Sequence, residues 1–380
     1  MFKVTFSFED GSMVETFANA GDNLLEVARS ANVAIDAPCS GNGACGKCRV
    51  QLKSGELESK KTLHISDEEY QEGWRLACCS KISADVNVLV PDIASAYKSR
   101  MKVADLSSKE EIAIFENAKS DIQLAGIELK NSLEVVDVLM DVPSLDDTMP
   151  DNERLTRALR KYLNINRVRI PYVVLKKLPD VLRENNFAVK CVIRATSDDM
   201  YVYDIFGKDE DVVIGGLAID IGTTTVSAVL INMENGEILA KSSAGNGQIR
   251  FGADVINRIV ESQKPGGQKK LQDAVIKETI NPMIHEMCKS AKFPKDHIYR
   301  MCVASNTTMN HLFAGINADP LRTEPYIPAF FKTNSLFASD VGVDINKDAH
   351  IIMAPNIGSY VGGDITAGTL VSQIWNRPEF

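Results

Sequence analysis

Histidine is scarce in this chain, five in 380 residues, and no two fall at the spacing of a metal-binding pair. That argues against a histidine-held zinc or iron centre, and His311, on a helical pattern, is expected to be structural. Basic residues are in the minority, 42 Lys and Arg against 51 Asp and Glu, for a net charge of −9. The deficit argues against a nucleic-acid partner held by phosphate neutralisation. Long apolar runs are missing as well, and none approaches the roughly twenty residues of a membrane span. The opening stretch from Phe2 to Phe8 alternates like a strand and lacks the basic start, apolar core and cleavage site of a secretory leader. These absences lead us to expect a soluble, cytoplasmic protein without membrane or nucleic-acid partners, in a compartment where thiols stay reduced. The length allows two to four domains with cores of their own.

Cysteine is what the chain does have, eight in all. In Cys39-Ser40-Gly41-Asn42-Gly43-Ala44-Cys45-Gly46-Lys47-Cys48 the first gap is five residues and the second two, and twenty-nine more residues separate Cys48 from Cys78. Three thiolates on one loop plus a distant fourth is the arrangement of a 2Fe-2S ferredoxin. The plant-type first gap is four residues, so five is closer to the adrenodoxin-like variant. Glycines 41, 43 and 46 let the backbone wrap closely and aim N–H groups at sulfur. The same letters satisfy G-x-G-x-x-G and nearly a P-loop, but no strand leads through them into a suitable helix, so both matches are decoys. Structural zinc prefers two short cysteine pairs, and disulfides need an oxidising compartment. The reading is therefore a cluster held by Cys39, Cys45, Cys48 and Cys78. Cys79 could substitute for its neighbour, although Arg75-Leu76-Ala77-Cys78 is the better ferredoxin match. Cys191, Cys288 and Cys302 lie in apolar runs and are read as small buried hydrophobes.

Along the chain, residues 2 to 8 and 13 to 17 alternate around Asp10-Gly11, a hairpin signal. Asp22-Asn23 opens a helix bearing Leu24, Leu25, Val27 and Ala28. Strands at Arg49 to Leu52 and Val86 to Val90 complete a β-grasp that ends near Pro91. From Ile93 to about Leu124 the composition turns to Ala, Ser, Lys and Glu, a partly helical linker that would let the ferredoxin swing. Residues 125 to 206 read as a small α+β unit. Ser144-Leu145-Asp146-Asp147 leads into a helix through Leu155, Leu159 and Leu163. A second helical stretch runs from Pro171 towards Asn185, interrupted near Pro179, and strands follow at Ala188 to Ala195 and Met200 to Phe206. No chemistry is evident there.

The third region opens on Leu217-Ala218-Ile219-Asp220-Ile221-Gly222-Thr223-Thr224-Thr225-Val226. An apolar strand runs into Asp-x-Gly-Thr-Thr, and a second strand (Val226 to Ile231), an Asn235-Gly236 turn and a third strand follow. Gly222 permits close phosphate approach, the hydroxyls of Thr223, Thr224 and Thr225 with backbone N–H groups can hold phosphate oxygens, and Asp220 can orient magnesium through water. An ordinary Gly-Thr turn is the competing reading. Asn306-Thr307 opens a helix whose N-terminus could face a phosphate or be simply capped. Asp254 could position magnesium or only complement a helix dipole. Gly362-Gly363-Asp364 is either a ligand-facing turn or a helix start. A cobalamin-carrying Asp-x-His-x-x-Gly is missing, since Asp348-Ala349-His350 runs into a strand without the Gly.

The hairpin resembles that of the actin, sugar-kinase and Hsp70 ATPase superfamily. With the ferredoxin ahead of it, the chain resembles the reductive activators of corrinoid proteins. The likeness also rests on Ser144 to Asp147, Gln248 to Val255, Ser305 to Met309 and Ser359 to Gly368, and spans essentially the whole chain. It implies a multidomain α+β fold: a β-grasp 2Fe-2S ferredoxin (1–92), a linker (93–124), a middle α+β domain (125–211) and the first lobe of an actin-like (RNase H-like) ATPase domain (212–380). Where the family usually reads Asn-Pro-Gln this chain has Asn246-Gly247-Gln248. The family also continues into a second Asp-x-Gly-Thr loop and an adenosine-binding region, so the 166 residues from 215 to 380 are expected to make one lobe plus a fragment.

By resemblance the cofactors are a 2Fe-2S cluster and ATP with magnesium. The partners are a corrinoid protein of a methyltransferase system, which carries the cobalamin, and a cellular electron donor; a homodimer is left open. The implied activity is ATP-dependent reduction of inactive Co(II) to Co(I) for methyl transfer. A plant-type cluster sits near about −400 mV, and the resemblance implies a harder acceptor, so ATP would be coupled to the reduction as a free energy shared between two sites. The alternatives are a redox-sensing regulatory module and a simple electron carrier with a docking lobe.

Overall fold

Alternation in the first eighteen residues builds the first sheet. Strand β1 (Phe2–Phe8) pairs antiparallel with β2 (Met13–Ala18), Phe2 opposite Ala18, and turns Val4 and Phe6 fully inward. This is a computed structural model, and it describes the chain except residues 9, 10, 32, 34, 36, 38–42, 44, 45, 92–108, 129–131, 164, 197, 334 and 377–380. Asp10 of the expected turn lies outside the described residues. Helix α1 (Leu24–Ser30) starts where expected because the Asn23 side chain accepts from the amides of Leu25 and Glu26. Helix α2 (Asp67–Gln71) has a Ser66/Glu69 capping box. Strands β3 (Arg49–Ser54), β5 (Trp74–Leu76) and β7 (Val86–Val90) complete a sheet in the order β2-β1-β7-β3-β5, with β1 and β7 parallel, while β4 (Leu57–Ser59) and β6 (Ser80–Ile82) form a separate ribbon. Leu24, Leu25 and Ala28 of α1 pack with Val50 and Val88 of the sheet, the β-grasp arrangement. Each such large side chain contributes about 1.5–3 kcal/mol by leaving water.

The expected linker is described only in its second half, as helix α3 (Lys109–Leu124). Its Asn117, Ala118 and Asp121 share a crevice with Val371 and Ser372 of the third unit, so this half is seated rather than free.

The middle unit has four strands, not two: β8 (Leu133–Leu139), β9 (Arg167–Arg169), β10 (Ala188–Ala195) and β11 (Asp199–Gly207), in the order β8-β10-β11-β9. Helices α4 (Asp151–Leu163) and α5 (Tyr172–Glu184) bury Leu155, Leu159, Leu178 and Leu182 beside them. Helix α5 runs unbroken through Pro179, contrary to expectation. The proline sits on the exposed face, where water can satisfy the carbonyl it leaves without a helical partner.

In the third unit β12 (Gly215–Ile221), β13 (Thr225–Asn232) and β14 (Ile238–Gly245) form an antiparallel meander, and β15 (Ile298–Ser305) and β16 (His350–Met353) add in parallel beyond β12. The order β14-β13-β12-β15-β16 is that of an actin-like, RNase H-like lobe. One face carries Leu217, Ile219 and Leu230 into a core shared with helices α6 (Val255–Ser262), α7 (Gly267–Val275), α8 (Asn281–Ala291) and α9 (Thr307–Ala314). The short α10 (Ala338–Val341) closes that side, and α11 (Gly363–Ser372) follows β16. The other face opens on a cavity of about 440 Å³ lined by Asp220, Ser227, Cys302 and Ala367 among others. Cys302 is therefore exposed, against expectation: period-two alternation along β15 turns it to the open face. Cys191 and Cys288 are buried as expected.

Tyr203, Phe206, Val212, Ile214 and Tyr299 form a buried seam between the middle and third units, with Tyr203 and Tyr299 ring centres 5.7 Å apart. No helix among the described residues is long and apolar enough to cross a membrane.

Candidate functional site

The register of β3 against β5 brings two predicted ligands together. Arg49 pairs with Leu76, and the Ala77 amide donates to the Cys48 carbonyl at 2.8 Å. The thiols on either side of that bond, Cys48 and Cys78, come to 3.2 Å between sulfurs. The two thiols share this hydrogen bond, which with nearby backbone amides draws the buried Cys48 thiol down to about 7 against the opposing effect of burial, while Cys78 is pushed up. One sulfur of the pair is thus prepared to be a thiolate. Asn23, the cap of α1, donates through Nδ2 to the Cys78 carbonyl at 2.8 Å. Cys79 places its sulfur 3.6 Å from that of Cys78. Gly43 and Gly46 are left-handed, at φ +74° and +66°, and a Cβ on Gly46 would stand 2.6 Å from Cγ of His64. The loop can therefore follow this path only with glycine there. Cys39, Cys45 and Gly41 lie outside the described residues. The two thiols in view fit an iron-sulfur group: soft donors, converging, with one already acidified.

The second cluster of predicted residues gathers where parallel strands β12, β15 and β16 end, the place where open α/β sheets bind ligands. The hairpin Gly222–Thr224 is tight: the Gly222 amide donates to the Thr225 carbonyl at 2.9 Å, and a Cβ on Gly222 would meet that oxygen at 2.6 Å. Thr223, Thr224 and Thr225 are half-buried on this turn. Asp220 faces the open side, and burial first, then the charge of Asp364, raise its carboxyl. Asp364 arrives by close packing at the start of α11. Cβ atoms on Gly362 and Gly363 would fall 2.4 Å from the Ser305 carbonyl oxygen and 2.6 Å from that of Ala354. Two neighbouring carboxylates beside a hairpin of amides and hydroxyls suit a magnesium-bound phosphate.

Two residues outside the expected ligand set hold this hairpin. Asn246 donates through Nδ2 to the Gly222 carbonyl and through its backbone amide to that of Thr224, both at 2.8 Å. Arg258, fully buried, donates to the carbonyls of Gly252 (2.8 Å) and Thr223, and to Oε1 of Gln248 (3.2 Å). The Gly247 amide donates to Oγ1 of Thr279 at 3.1 Å, a bond that a proline at this position could not make.

Three expected ligands are occupied by structural roles. Asn306 caps α9, accepting from the Met309 amide at 2.9 Å. The Thr307 hydroxyl is buried and donates to the carbonyls of Gly358 (2.5 Å) and Val361 (3.1 Å). Asp254 caps α6 by accepting from the amide and Nδ2 of Asn257. His311 is structural too, its ring bonded to the Thr307 carbonyl and the Ala329 amide.

A thiol-lined β-grasp followed by an actin-like lobe defines a class of protein in which a ferredoxin-type module and an actin-like module share one chain. Residues 7–83 match the 2Fe-2S iron-sulfur cluster binding domain, residues 122–212 the RACo linker region and residues 215–377 the RACo middle region. The chain belongs to the RACo-type family. It is 27% identical over 346 residues to the corrinoid activation enzyme RamQ of Eubacterium limosum, covering 90% of this chain and 51% of RamQ. A solved structure described as a reductive activator for corrinoid, iron-sulfur protein is 32% identical, with a TM-score of 0.59 over 100% of this chain and 59% of that one. The ferredoxin part alone is 35% identical over 91 residues to one polypeptide of the Na(+)-translocating NADH-quinone reductase of Actinobacillus succinogenes, 23% of this chain and 22% of that polypeptide. The chain thus spans between half and three-fifths of the length of its two long relatives.

Proposed function

We propose that this chain delivers electrons to a corrinoid protein of a methyltransferase system, returning inactive Co(II) to Co(I) in a step coupled to ATP. The observation that carries the reading is the presence, in one chain, of a 3.2 Å thiol pair and an open cavity lined by Asp220 beside the tight Gly222–Thr224 hairpin. The first takes and gives electrons once metallated; the second takes a magnesium nucleotide. Held by Cys39, Cys45, Cys48 and Cys78, the 2Fe-2S cluster supplies one-electron transfer. Of the adjacent cysteines we assign Cys78, because its sulfur is the one set against Cys48. Asp220 and Asp364 orient magnesium through its waters, and Thr223 and Thr224 with the hairpin amides take phosphate oxygens. Asn246 and Arg258 keep those amides in place. Electrons come from a cellular donor in the cytoplasm, and one electron passes to cobalt for each Co(I) formed. We assign residues 1–92 to the ferredoxin domain, 93–124 to the linker, 125–211 to the middle domain and 212–380 to the actin-like lobe.

The test is anaerobic visible spectroscopy of a Co(II) corrinoid protein mixed with the iron-loaded chain and a reductant, with and without MgATP. Co(I) absorbance that grows with ATP over several turnovers is the expected result. No Co(I) under either condition overturns the proposal, and Co(I) formation indifferent to ATP and to Asp220→Ala reduces the chain to an electron carrier.

A further inference from the structure

Helix α1 reaches from the cysteine pair to the turn that adjoins the second site. Its cap, Asn23, holds the carbonyl of Cys78. At its other end Arg29, with a side chain only 4% exposed, pairs through NH1 with Glu26 at 2.7 Å and donates through Nε to the backbone carbonyl of Arg250, in the third unit, at 2.8 Å. Arg250 belongs to the helical turn Gly247–Phe251, pinned from the far side by its ion pair with Glu278 at 2.6 Å. The residue before this turn, Asn246, holds the Gly222 carbonyl. The residue after it, Gly252, accepts from Arg258, whose other nitrogen reaches the Thr223 carbonyl. The turn is therefore gripped on one side by the ferredoxin helix and on the other by the residues that shape the phosphate hairpin.

We propose that Arg29 is a positioning residue: it docks the ferredoxin unit on the Gly247–Phe251 turn, so that docking and nucleotide binding at the Gly222–Thr224 hairpin strengthen each other. The inference rests on the nucleotide reading above. A charged donor bonded to a carbonyl out of water is geometrically demanding, so the docked state selects one placement of residue 250. The same placement sets Asn246 and Gly252, and through them the hairpin. Docked and undocked ferredoxin are the two states, and linkage makes the effect reciprocal.

The test uses the full iron-loaded chain, with MgADP and MgATP as probes, on Arg29→Ala, Arg29→Lys and Glu278→Gln. Iron content and the electron paramagnetic resonance of the reduced cluster report that each variant is folded. We expect the nucleotide Kd to weaken about fivefold in Arg29→Ala, at the low end of common site-to-site coupling. Arg29→Lys should recover part of this, and Glu278→Gln, which loosens the turn without touching the ferredoxin, should shift Kd in the same direction as Arg29→Ala. By hydrogen exchange, MgADP should slow residues 24–31 in the wild type but not in Arg29→Ala. An unchanged Kd in a metallated Arg29→Ala, or protection of residues 220–226 without any at 24–31 in the wild type, overturns the inference alone. No protection at 220–226 overturns the nucleotide reading itself, and this inference falls with it.

Discussion

Arg258 is the residue whose loss should cost the actin-like lobe most. Replacing it by Met keeps much of the apolar stem and removes the guanidinium. The carbonyl of Gly252 and Oε1 of Gln248, both in buried residues, lose their donor, and the half-buried carbonyl of Thr223 loses another. A buried acceptor left without its partner costs about 1–3 kcal/mol. Release of a desolvated cation offsets part of the sum, because Arg258's described acceptors are neutral and its removal leaves no charge buried without a partner. We therefore expect a loss of about 4 kcal/mol. The seam of Tyr203, Phe206 and Tyr299 joins the lobe to the middle unit, so the melting body has the size at which 1 kcal/mol moves the midpoint by about 2–4 °C. Calorimetry of Arg258→Met should then show its main transition lowered by roughly 10 °C, with the ferredoxin's visible absorbance unchanged before it. A midpoint within about 2 °C of wild type would refute the reasoning, because it would mean that water satisfies the three acceptors equally well.

Other outcomes follow from single contacts. Gly46→Ala should lower iron content sharply, since the new Cβ falls 2.6 Å from His64 at a left-handed φ of +66°; a fully metallated variant would contradict the requirement for glycine. Asp220 has a carboxyl raised by burial and by Asp364, so its ionisation destabilises the fold as pH climbs from the ordinary carboxylate value through the raised one. Asp220→Asn should accordingly melt higher than wild type at pH 7 without nucleotide, match it below about pH 4, and bind MgADP more weakly; equal melting at pH 7 would show that the two carboxylates do not repel. Asp147 is the opposite case, held at about 2 chiefly by its hydrogen bond from Arg154. Its contribution is present above the ordinary carboxylate value and is lost as pH falls towards 2, so Asp147→Asn should be less stable at pH 5–7 and converge with wild type near pH 2 on acid titration by circular dichroism.

Local chemistry was legible in the sequence. Asn23, Asp254 and Asn306 each announce a helix start, and each is a cap in the structure, because capping depends on residues two or three positions away. That same locality means the caps at Asp254 and Asn306 do not distinguish a ligand-facing residue from a helix start. The spacing of Cys48 and Cys78 was legible, but their approach to 3.2 Å depends on the register of β3 with β5. Strand β8 was passed over because Leu133–Leu139 has no turn signal tying it to a partner fifty residues on. Pro179 was read as an interruption because sequence does not show that its side of the helix faces water. Arg258 gives no signal, because an arginine in a charged helix pattern looks like a solvated face and only the assembled lobe shows it buried among carbonyls; Asn246 is visible in the Asn-Gly-Gln stretch, but not its grip on the hairpin. Asp364 became distinguishable from a helix-start carboxylate only when Gly362 and Gly363 brought it beside Asp220.

The aromatic seam also sets where this protein can be cut and rejoined. Tyr203 and Phe206 before residues 207–215, Val212 and Ile214 within them and Tyr299 beyond them pack into one seam, so a hybrid spliced there would confront surfaces never shaped for each other. A splice ahead of Lys109 leaves that packing whole and, among the described hydrogen bonds, asks a foreign ferredoxin to reproduce that of Arg29 to the Arg250 carbonyl. The ferredoxin is therefore the unit expected to exchange most readily, whereas the middle unit travels with the actin-like lobe it is packed against.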